Sequence, residues 1–253
     1  MNQGESMTVN TEQKMSYVQA LGQLAHAQKT NKGAPAYSRF INRPLGRRFA
    51  ARAYRLDATP NRVTAVSAVC TFSGLALVAL ADPTWIVALS VAALLVLGYG
   101  LDAADGQLSR LQGSGSAAGE WLDHVVDAVK MASLHLVILV CWYRFFDLDV
   151  LWLLVPLAFQ VVSATQFFAV ILTDQLRRMH RADRGTIRAG HGSSSTLYSL
   201  AVIPTDYGLM CVVFGLLWWH TGFVVVYSLL LLANAAFLAM ALPKWFKEVK
   251  SLA

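Results

Sequence analysis

A chain of 253 residues that is 56% hydrophobic and only 14% charged is too apolar for an ordinary soluble domain, so the composition indicates an integral membrane protein. The 21 Lys and Arg residues exceed the 15 Asp and Glu residues, but they flank apolar segments, which indicates membrane topology and contact with anionic lipids and argues against a nucleic-acid partner. The three cysteines lie in or near different apolar segments without a paired spacing, so neither disulfides nor zinc ligands are indicated.

Polar and apolar stretches divide the chain into three predicted regions. Residues 1–36 are polar, and we expect a cytoplasmic tail there. Residues 37–57 mix aromatic and aliphatic side chains with six arginines, which is typical of an amphipathic helix lying in the membrane interface. Residues 58–253 form the predicted membrane domain, an all-α polytopic fold with about six transmembrane helices. The six apolar windows are 63–81, 84–101, 121–142, 150–173, 196–219 and 222–243.

The basic residues are distributed unevenly between the two sides of these predicted spans. Ten of the 21 precede the first span, Arg110 lies between spans two and three, five lie in 177–188 and three follow the last span. Arg144 alone falls on the opposite side. Because basic loops stay in the cytoplasm, we expect a multi-pass protein of the cell membrane with both termini, and the end of span two, on the cytoplasmic side.

Four aspartates stand in two pairs where spans two and three meet. Asp102 and Asp105 end the second span, and Asp123 and Asp127 begin the third. On helices each pair lies on one face, and the Gly- and Ser-containing segment 111–118 predicts a loop that turns one helix back beside the other. Four carboxylates near hydrocarbon need counter-charge, and all-oxygen sites suit Mg²⁺ or Mn²⁺. The acids therefore predict a two-metal centre.

The spacing of these acids resembles the signature of the CDP-alcohol phosphotransferases, D-x2-D-G-x2-A-R-x8-G-x3-D-x3-D. Ser109 stands where that family usually has alanine, and the resemblance covers residues 58–130 well and the remainder only in the number of spans. It implies an enzyme of phospholipid biosynthesis that moves a substituted phosphoryl group, of the phosphatidyl type, from a CDP-linked donor to an acceptor hydroxyl and releases CMP. It also implies two Mg²⁺ ions, or Mn²⁺, and a homodimer. The matched positions are Asp102, Asp105, Gly106, Arg110, Gly119, Asp123 and Asp127.

The resemblance further assigns six residues to the CDP donor. Thr59 and Pro60 suit the N-cap and the first position of a helix, and in the family the TP-N/D-x-x-T sequence that begins there lines the nucleotide. Gly119 is expected to leave room for the cytosine base, and Arg110 suits a phosphate or a base oxygen. The six expected donor-binding residues are Asn61, Thr64, Gly106, Arg110, Ser116 and Gly119.

The resemblance also implies roles for the four acids. Asp102 and Asp123 are expected to bridge the two metal ions, with Asp105 and Asp127 each completing one coordination shell. Lys130 follows Asp127 by three residues and is expected to form an internal salt bridge with it or to touch a phosphate.

Two residues are candidates for the general base. Asp127 is placed to take the proton of the acceptor hydroxyl. Residues 119–127 also resemble the GE-x-x-DH-x-x-D form of aminoalcohol phosphotransferases, in which the acid and histidine matching Glu120 and His124 are candidate bases. A histidine titrating near neutrality suits that role, and the sequence leaves both alternatives open.

The same local resemblance bears on the acceptor. Aminoalcohol phosphotransferases transfer to an uncharged lipid hydroxyl, so we expect an acceptor without a phosphate group. The alternative is a phosphatidylinositol-phosphate or phosphatidylglycerol-phosphate synthase, which acts on a phosphorylated polyol and carries Lys and Arg near the end of the fourth span, whereas 166–173 has neither. Further candidate substrate contacts are Glu120, Arg177, Arg178 and Asp206.

An alternative of another class is an ion-coupled or proton-coupled transporter that uses intramembrane acids. Transporters place such groups near the bilayer midplane at the interface of repeats. Here the acids lie at the ends of consecutive spans in a sequence without an internal repeat, which favours the enzyme. A catalytically inactive scaffold is also disfavoured, because all four acids are present.

Overall fold

The computed structural model describes residues 14–26, 35–183, Ser199 and 202–252. Every regular element within those residues is helical, which confirms the all-α prediction. Apart from α1, most of the predicted tail 1–36 lies outside the described residues. The helices are α1 Tyr17–His26, α2 Arg43–Arg55, α3 Pro60–Leu80, α4 Trp85–Gln112, α5 Ala117–Phe145, α6 Leu154–Asp183, α7 Tyr207–Val213 and α8 His220–Lys250.

Five of the described helices are long and apolar enough to cross a membrane, namely α3, α4, α5, α6 and α8. Between 11% and 39% of the residues in their most apolar windows are buried inside the protein. Large apolar side chains such as Val69, Trp85 and Phe168 are instead more than half exposed. Apolar faces of this extent require hydrocarbon around them, so the chain is an integral membrane protein.

The predicted fifth span, 196–219, is interrupted in the part that the structure describes. Its first residues, except Ser199, lie outside the described ranges. From Val202 onward the chain forms a short 3₁₀ turn around Pro204, and α7 then begins because the Asp206 carboxylate accepts the Gly208 N–H at 2.9 Å. A second 3₁₀ turn follows α7. A proline and a polar N-cap thus divide a stretch that its hydropathy predicts as one helix.

Helix α3 packs beside the ends of α4 and α5 that carry the four aspartates. It begins as predicted, because the Thr59 Oγ1 accepts the Arg62 N–H at 3.3 Å and Pro60 occupies the first turn. It packs against both α4 and α5, and the Ser67 hydroxyl donates to the Gly98 carbonyl of α4 at 2.8 Å. The acid-bearing ends of α4 and α5 therefore lie beside the first turns of α3.

The connection between α4 and α5 is shorter than the sequence predicts. Helix α4 ends at Gln112 and is capped by Gly113, which has a φ of 62° that few residues other than glycine adopt readily. Helix α5 is capped by Ser116, whose hydroxyl accepts the Gly119 N–H at 3.1 Å. The turn is thus 113–116, inside the predicted loop 111–118, because local capping extends both helices past the apolar windows.

The predicted interfacial segment 37–57 is helical as far as Arg55 and lies against the acid-bearing end of α4. Helix α2 packs on α4 through a stripe of small residues, Gly46, Ala50 and Ala51, which are buried. Helix α1 in turn packs on α2. Helices α1 and α2 therefore pack beside the part of α4 that carries Asp105. That its arginine-rich face contacts lipid phosphates stays a prediction.

Candidate active site

Asp105 is held in a fixed orientation near the C-terminal end of α4. Its side chain is buried, its Oδ2 accepts a hydrogen bond from the Thr64 hydroxyl at 2.6 Å, and its Oδ1 accepts the Gly106 N–H at 2.5 Å. Hydrogen bonds to a carboxylate are among the strong ones in proteins. The first turn of α3 therefore positions an acid of α4.

Lys130 connects the two pairs of acids. Its ammonium, nearly fully buried, lies 3.2 Å from Asp102 Oδ1 on α4 and 2.5 Å from Asp127 Oδ1 on its own helix. The pairing with Asp127 confirms the predicted salt bridge, whereas the pairing with Asp102 was not predicted. One buried cation thus offsets part of the negative charge of what we call the acidic cluster, Asp102, Asp105, Asp123 and Asp127.

The first turns of α5 bring together side-chain atoms that could bind a metal ion. One ligand atom from each of Asp123, His124 and Asp127 lies within 4.8 Å of the others. Carboxylate oxygens suit hard divalent cations, and an imidazole is compatible with Mn²⁺. The residues present on α5, together with the acids of α4, therefore fit the predicted metal ions in kind and in charge.

A polar cavity of about 760 Å³ lies between the start of α3, the end of α4, the start of α5 and the end of α6. Asp105 and Asp123 line it, and so do all of the residues that the sequence assigns to the donor. Those residues come from three helices and the turn 113–116, so only the fold brings them together. They are Asn61, Thr64, Gly106, Arg110, Ser116 and Gly119.

Gly106 and Gly119, two of the glycines that line this cavity, differ in what surrounds them. A Cβ on Gly106 would meet no atom closer than Arg110 Nη1 at 3.6 Å, so protein packing does not require glycine there. A Cβ on Gly119 would lie 3.2 Å from Ser116 Oγ and 3.4 Å from Asn61 Oδ1. The absence of a side chain at Gly106 therefore leaves that part of the cavity open. At Gly119 it also avoids close contacts with Ser116 and Asn61.

A second, largely apolar cavity of about 320 Å³ lies between α5, α6 and residues 204–210. His124 lines both cavities, and Asp127 lines the apolar one. The first turns of α5 thus separate a polar cavity from an apolar cavity, with both candidate bases at the boundary.

The two predicted arginine contacts are held by acids. Arg178 lines the polar cavity and pairs with Glu120 at 2.6 Å and with Asp174 at 2.8 Å. Arg177 pairs with Glu248 of α8 at 2.6 Å and lines neither cavity. These pairs join the end of α6 to α5 and α8.

Asp206 lines the apolar cavity but its oxygens are engaged by the protein. They accept the Ser38 N–H at 2.7 Å, the Gly208 N–H at 2.9 Å and the Tyr99 hydroxyl at 3.5 Å. Tyr37 lies in the same region, and burial raises the pKa of its hydroxyl above the ordinary value, with the Asp206 charge adding to the effect. Asp206 therefore ties the N-terminal segment to α7.

Comparison with protein families gives one match over most of the chain. Residues 57–242 match the family model of the CDP-alcohol phosphatidyltransferases. The chain belongs to the CDP-alcohol phosphatidyltransferase family. No curated protein matches the sequence significantly. The family transfers phosphatidyl-type groups between a CDP-alcohol and an alcohol in membrane phospholipid synthesis and uses divalent metals.

Membership confirms the resemblance and the enzyme class inferred from the acid spacing, and it sets aside the transporter alternative. Several residues that line the two cavities were not among the predicted site residues. Ser109, Ser114 and Gln112 line the polar cavity, and Ser163 and Gln166 of α6 line the apolar one. The fourth span has polar side chains in its sequence, but the sequence does not specify that Ser163 and Gln166 share a cavity with the candidate bases.

Proposed function

We propose that this protein transfers a substituted phosphoryl group from a CDP-linked donor to an acceptor hydroxyl with release of CMP, at the boundary between the two cavities. The observation that carries the proposal is the polar cavity. Its 760 Å³ is within the range of ligand pockets, about 300–1,000 Å³, and it joins the expected donor-binding residues to Asp105 and Asp123.

The donor's nucleotide and diphosphate are assigned to this polar cavity. Arg110 offers a planar, permanently charged group for a phosphate or a base oxygen. Asn61 and Ser116 supply hydrogen-bonding groups at the walls, and Gly106 leaves the space for the ligand to approach the α4 backbone. The arrangement favours a flat base and a charged diphosphate over an uncharged ligand.

The acidic cluster is assigned to two divalent cations, with Mg²⁺ first and Mn²⁺ as the alternative. Bound there, the cations would neutralise the diphosphate and the charge that develops on departing CMP. The buried Lys130 forms salt bridges with Asp102 and Asp127, and the Thr64 hydroxyl donates a hydrogen bond to Asp105. These contacts orient the three carboxylates.

The acceptor's proton goes to Asp127 or His124. As the acceptor oxygen bonds to phosphorus, the bond from phosphorus to the CMP oxygen breaks with its electron pair, and the hydroxyl proton passes to the base. His124 lines both cavities, and Asp127 lines the apolar one. Intact turnover in His124→Gln would leave Asp127 as the base.

We also propose that the site and both termini face the cytoplasm, where CDP-linked donors are made, because the basic residues concentrate on that side of the spans. A homodimer is proposed from the family resemblance alone. Cysteine-accessibility labelling from the two sides of sealed vesicles, at positions such as Ser114 in the turn 113–116, tests the orientation.

The reaction is tested with purified protein in lipid nanodiscs. CDP-diacylglycerol and CDP-ethanolamine serve as donors in separate reactions, each with lipid and polyol acceptors, and CMP is measured with Mg²⁺, with Mn²⁺ and with EDTA. The proposal predicts CMP release with at least one donor that EDTA abolishes. Absence of metal-dependent CMP release from either donor contradicts it.

A further inference from the structure

Helix α1 precedes the part of the chain that matches the family and packs beside the polar cavity without lining it. It ends at His26, whereas the matched residues are 57–242. None of its ten residues lines either cavity. A helix of this length is marginally stable alone in water, so contacts with the rest of the chain must stabilise it.

The sequence begins α1 with a capping box and gives it two unlike faces. The Ser16 hydroxyl accepts the Gln19 N–H at 3.3 Å, and the Gln19 side-chain oxygen accepts the Ser16 N–H at 2.8 Å. Ala20 and Leu24, one turn apart, are 0% and 1% exposed. Val18 on the same helix is 74% exposed. Helix α1 thus has one buried face and one exposed face.

The buried face of α1 belongs to an apolar cluster that α2, α3 and α4 share. Val63 and Ala104 are members of this cluster, and each directly precedes a residue of the polar cavity, Thr64 and Asp105 respectively. Detachment of α1 would open the cluster on the side away from that cavity and loosen the packing beneath both residues. The buried members are Ala20, Leu24, Ala50, Ala51, Val63, Ala104 and Leu108.

Lys14, which precedes the capping box, binds the turn between α2 and α3. Its ammonium donates to the Arg55 carbonyl at 2.9 Å and pairs with the Asp57 carboxylate at 2.5 Å. The Arg55 carbonyl belongs to the last turn of α2, where carbonyls lack helical partners and a cation is favourable. Asp57 has a φ of 54°, in the left-handed region that few residues other than glycine adopt. Lys14 therefore contacts the turn at its most unusual backbone conformation.

The same turn is also bound by the end of α4 and leads directly into the donor-binding residues. The Gln112 side-chain amide donates to the Ala58 carbonyl at 3.0 Å. Three and six residues later, Asn61 and Thr64 lie in the first two turns of α3 and line the polar cavity. Because a helix moves as a unit, a shift of the turn 56–58 would displace both side chains.

The two anchors of this segment differ in strength. The Asp57 side chain is 84% exposed, so its ion pair with Lys14 contributes little free energy by itself. Leu24 is almost fully buried, and burial of a leucine side chain is the larger contribution. Loss of the Leu24 contact should therefore have the greater effect.

From these contacts we propose that residues 14–26 are a positioning element for the CDP donor. Packed against α2 and bound to the turn 56–58, they keep Asn61 and Thr64 at the wall of the polar cavity. The inference rests on the proposed function, because that cavity is assigned to the donor. It gives a role in donor binding to a segment outside the residues that match the family.

The test compares matched variants of the full chain in nanodiscs. Leu24→Asp places a carboxylate in the buried face and detaches α1, whereas Val18→Asp makes the same kind of change on the exposed face. CMP release is measured with Mg²⁺ at varied donor and acceptor concentrations, with whichever of CDP-diacylglycerol and CDP-ethanolamine the parent protein uses. We expect Leu24→Asp to raise the donor KM at least tenfold with kcat and the acceptor KM within twofold. Val18→Asp should stay within twofold of the parent protein in all three.

Lys14→Met provides the second variant and decides the matter if Leu24→Asp does not fold by size-exclusion chromatography. It should raise the donor KM at least threefold, whereas Lys14→Arg, which keeps the charge, should stay within twofold of the parent protein. Amide hydrogen exchange without substrate gives a readout independent of turnover. Residues 56–64 should exchange faster in Leu24→Asp and Lys14→Met, with exchange in α8 unchanged.

The outcomes separate this inference from the proposed function. Unchanged donor KM in the folded variants, equal increases of the donor KM and the acceptor KM, or unchanged exchange of residues 56–64 would overturn the positioning role and leave the proposed transfer intact. Absence of metal-dependent CMP release by the parent protein with either donor would overturn the proposed function, and the positioning role with it.

Discussion

Thr64 offers a single-atom test of how the acidic cluster is positioned. Thr64→Val keeps the shape of a buried side chain and removes the hydroxyl that donates to Asp105 Oδ2 at 2.6 Å. A hydrogen bond to a charged group contributes about 1.5–3 kcal/mol, and each 1.36 kcal/mol corresponds to a factor of ten in rate. We therefore expect kcat/KM for the donor to fall by about 10- to 150-fold.

The assay is CMP release at varied donor and Mg²⁺ concentrations. Thr64→Ser is the matched control, because it retains the hydroxyl and loses only a methyl group, and it should stay within a few-fold of the parent protein. Unfolding temperatures in detergent show whether either variant is simply destabilised. A Thr64→Val protein that is folded and has unchanged kcat/KM and Mg²⁺ requirement would refute the positioning role.

Three further predictions address the charged residues. Replacing any one aspartate of the acidic cluster by asparagine should reduce turnover at least about a hundredfold in a folded protein, since a metal ligand or the base is lost, and an active variant would exclude that residue from the role. Arg110→Ala should raise the donor KM more than the acceptor KM, whereas equal changes would indicate a structural role. Lys130→Met should lower the unfolding temperature more in EDTA than in Mg²⁺, because bound Mg²⁺ replaces the positive charge of the missing ammonium beside Asp102 and Asp127. An equal decrease of the unfolding temperature in both solutions would contradict this.

Part of the geometry of the candidate site was predictable, because the spacing of the acids along a helix is a local property. Helical periodicity places Asp123 and Asp127 on one face, and the structure brings their ligand atoms together with His124. Caps are local as well, so Thr59 and Pro60 located the start of α3 correctly. Five of the six apolar windows correspond to long helices in the described residues.

Contacts between distant segments were not predictable from spacing. The pairing of Lys130 with Asp102 depends on how α4 and α5 are placed around α3, which a single sequence does not specify. The hydrogen bond from the Ser38 N–H to the Asp206 carboxylate joins residues that lie 168 positions apart in the sequence. Hydropathy averaged over a window predicts the fifth span as one segment, whereas Pro204 and Asp206 within it indicate a kink, and the structure has a 3₁₀ turn and a new helix start there.

The most direct test of the account is a phosphorus balance on matched reactions of the parent protein and Asp123→Asn. Each reaction contains the CDP donor, the acceptor and Mg²⁺, and ³¹P NMR follows donor, CMP and the new phosphodiester or phosphate ester together. The account predicts one CMP for each phosphoryl group transferred by the parent protein and neither product from Asp123→Asn above the EDTA background. Equal turnover by the two proteins, or CMP release without a transferred group when acceptor is saturating, would contradict a phosphotransferase centred on the acidic cluster.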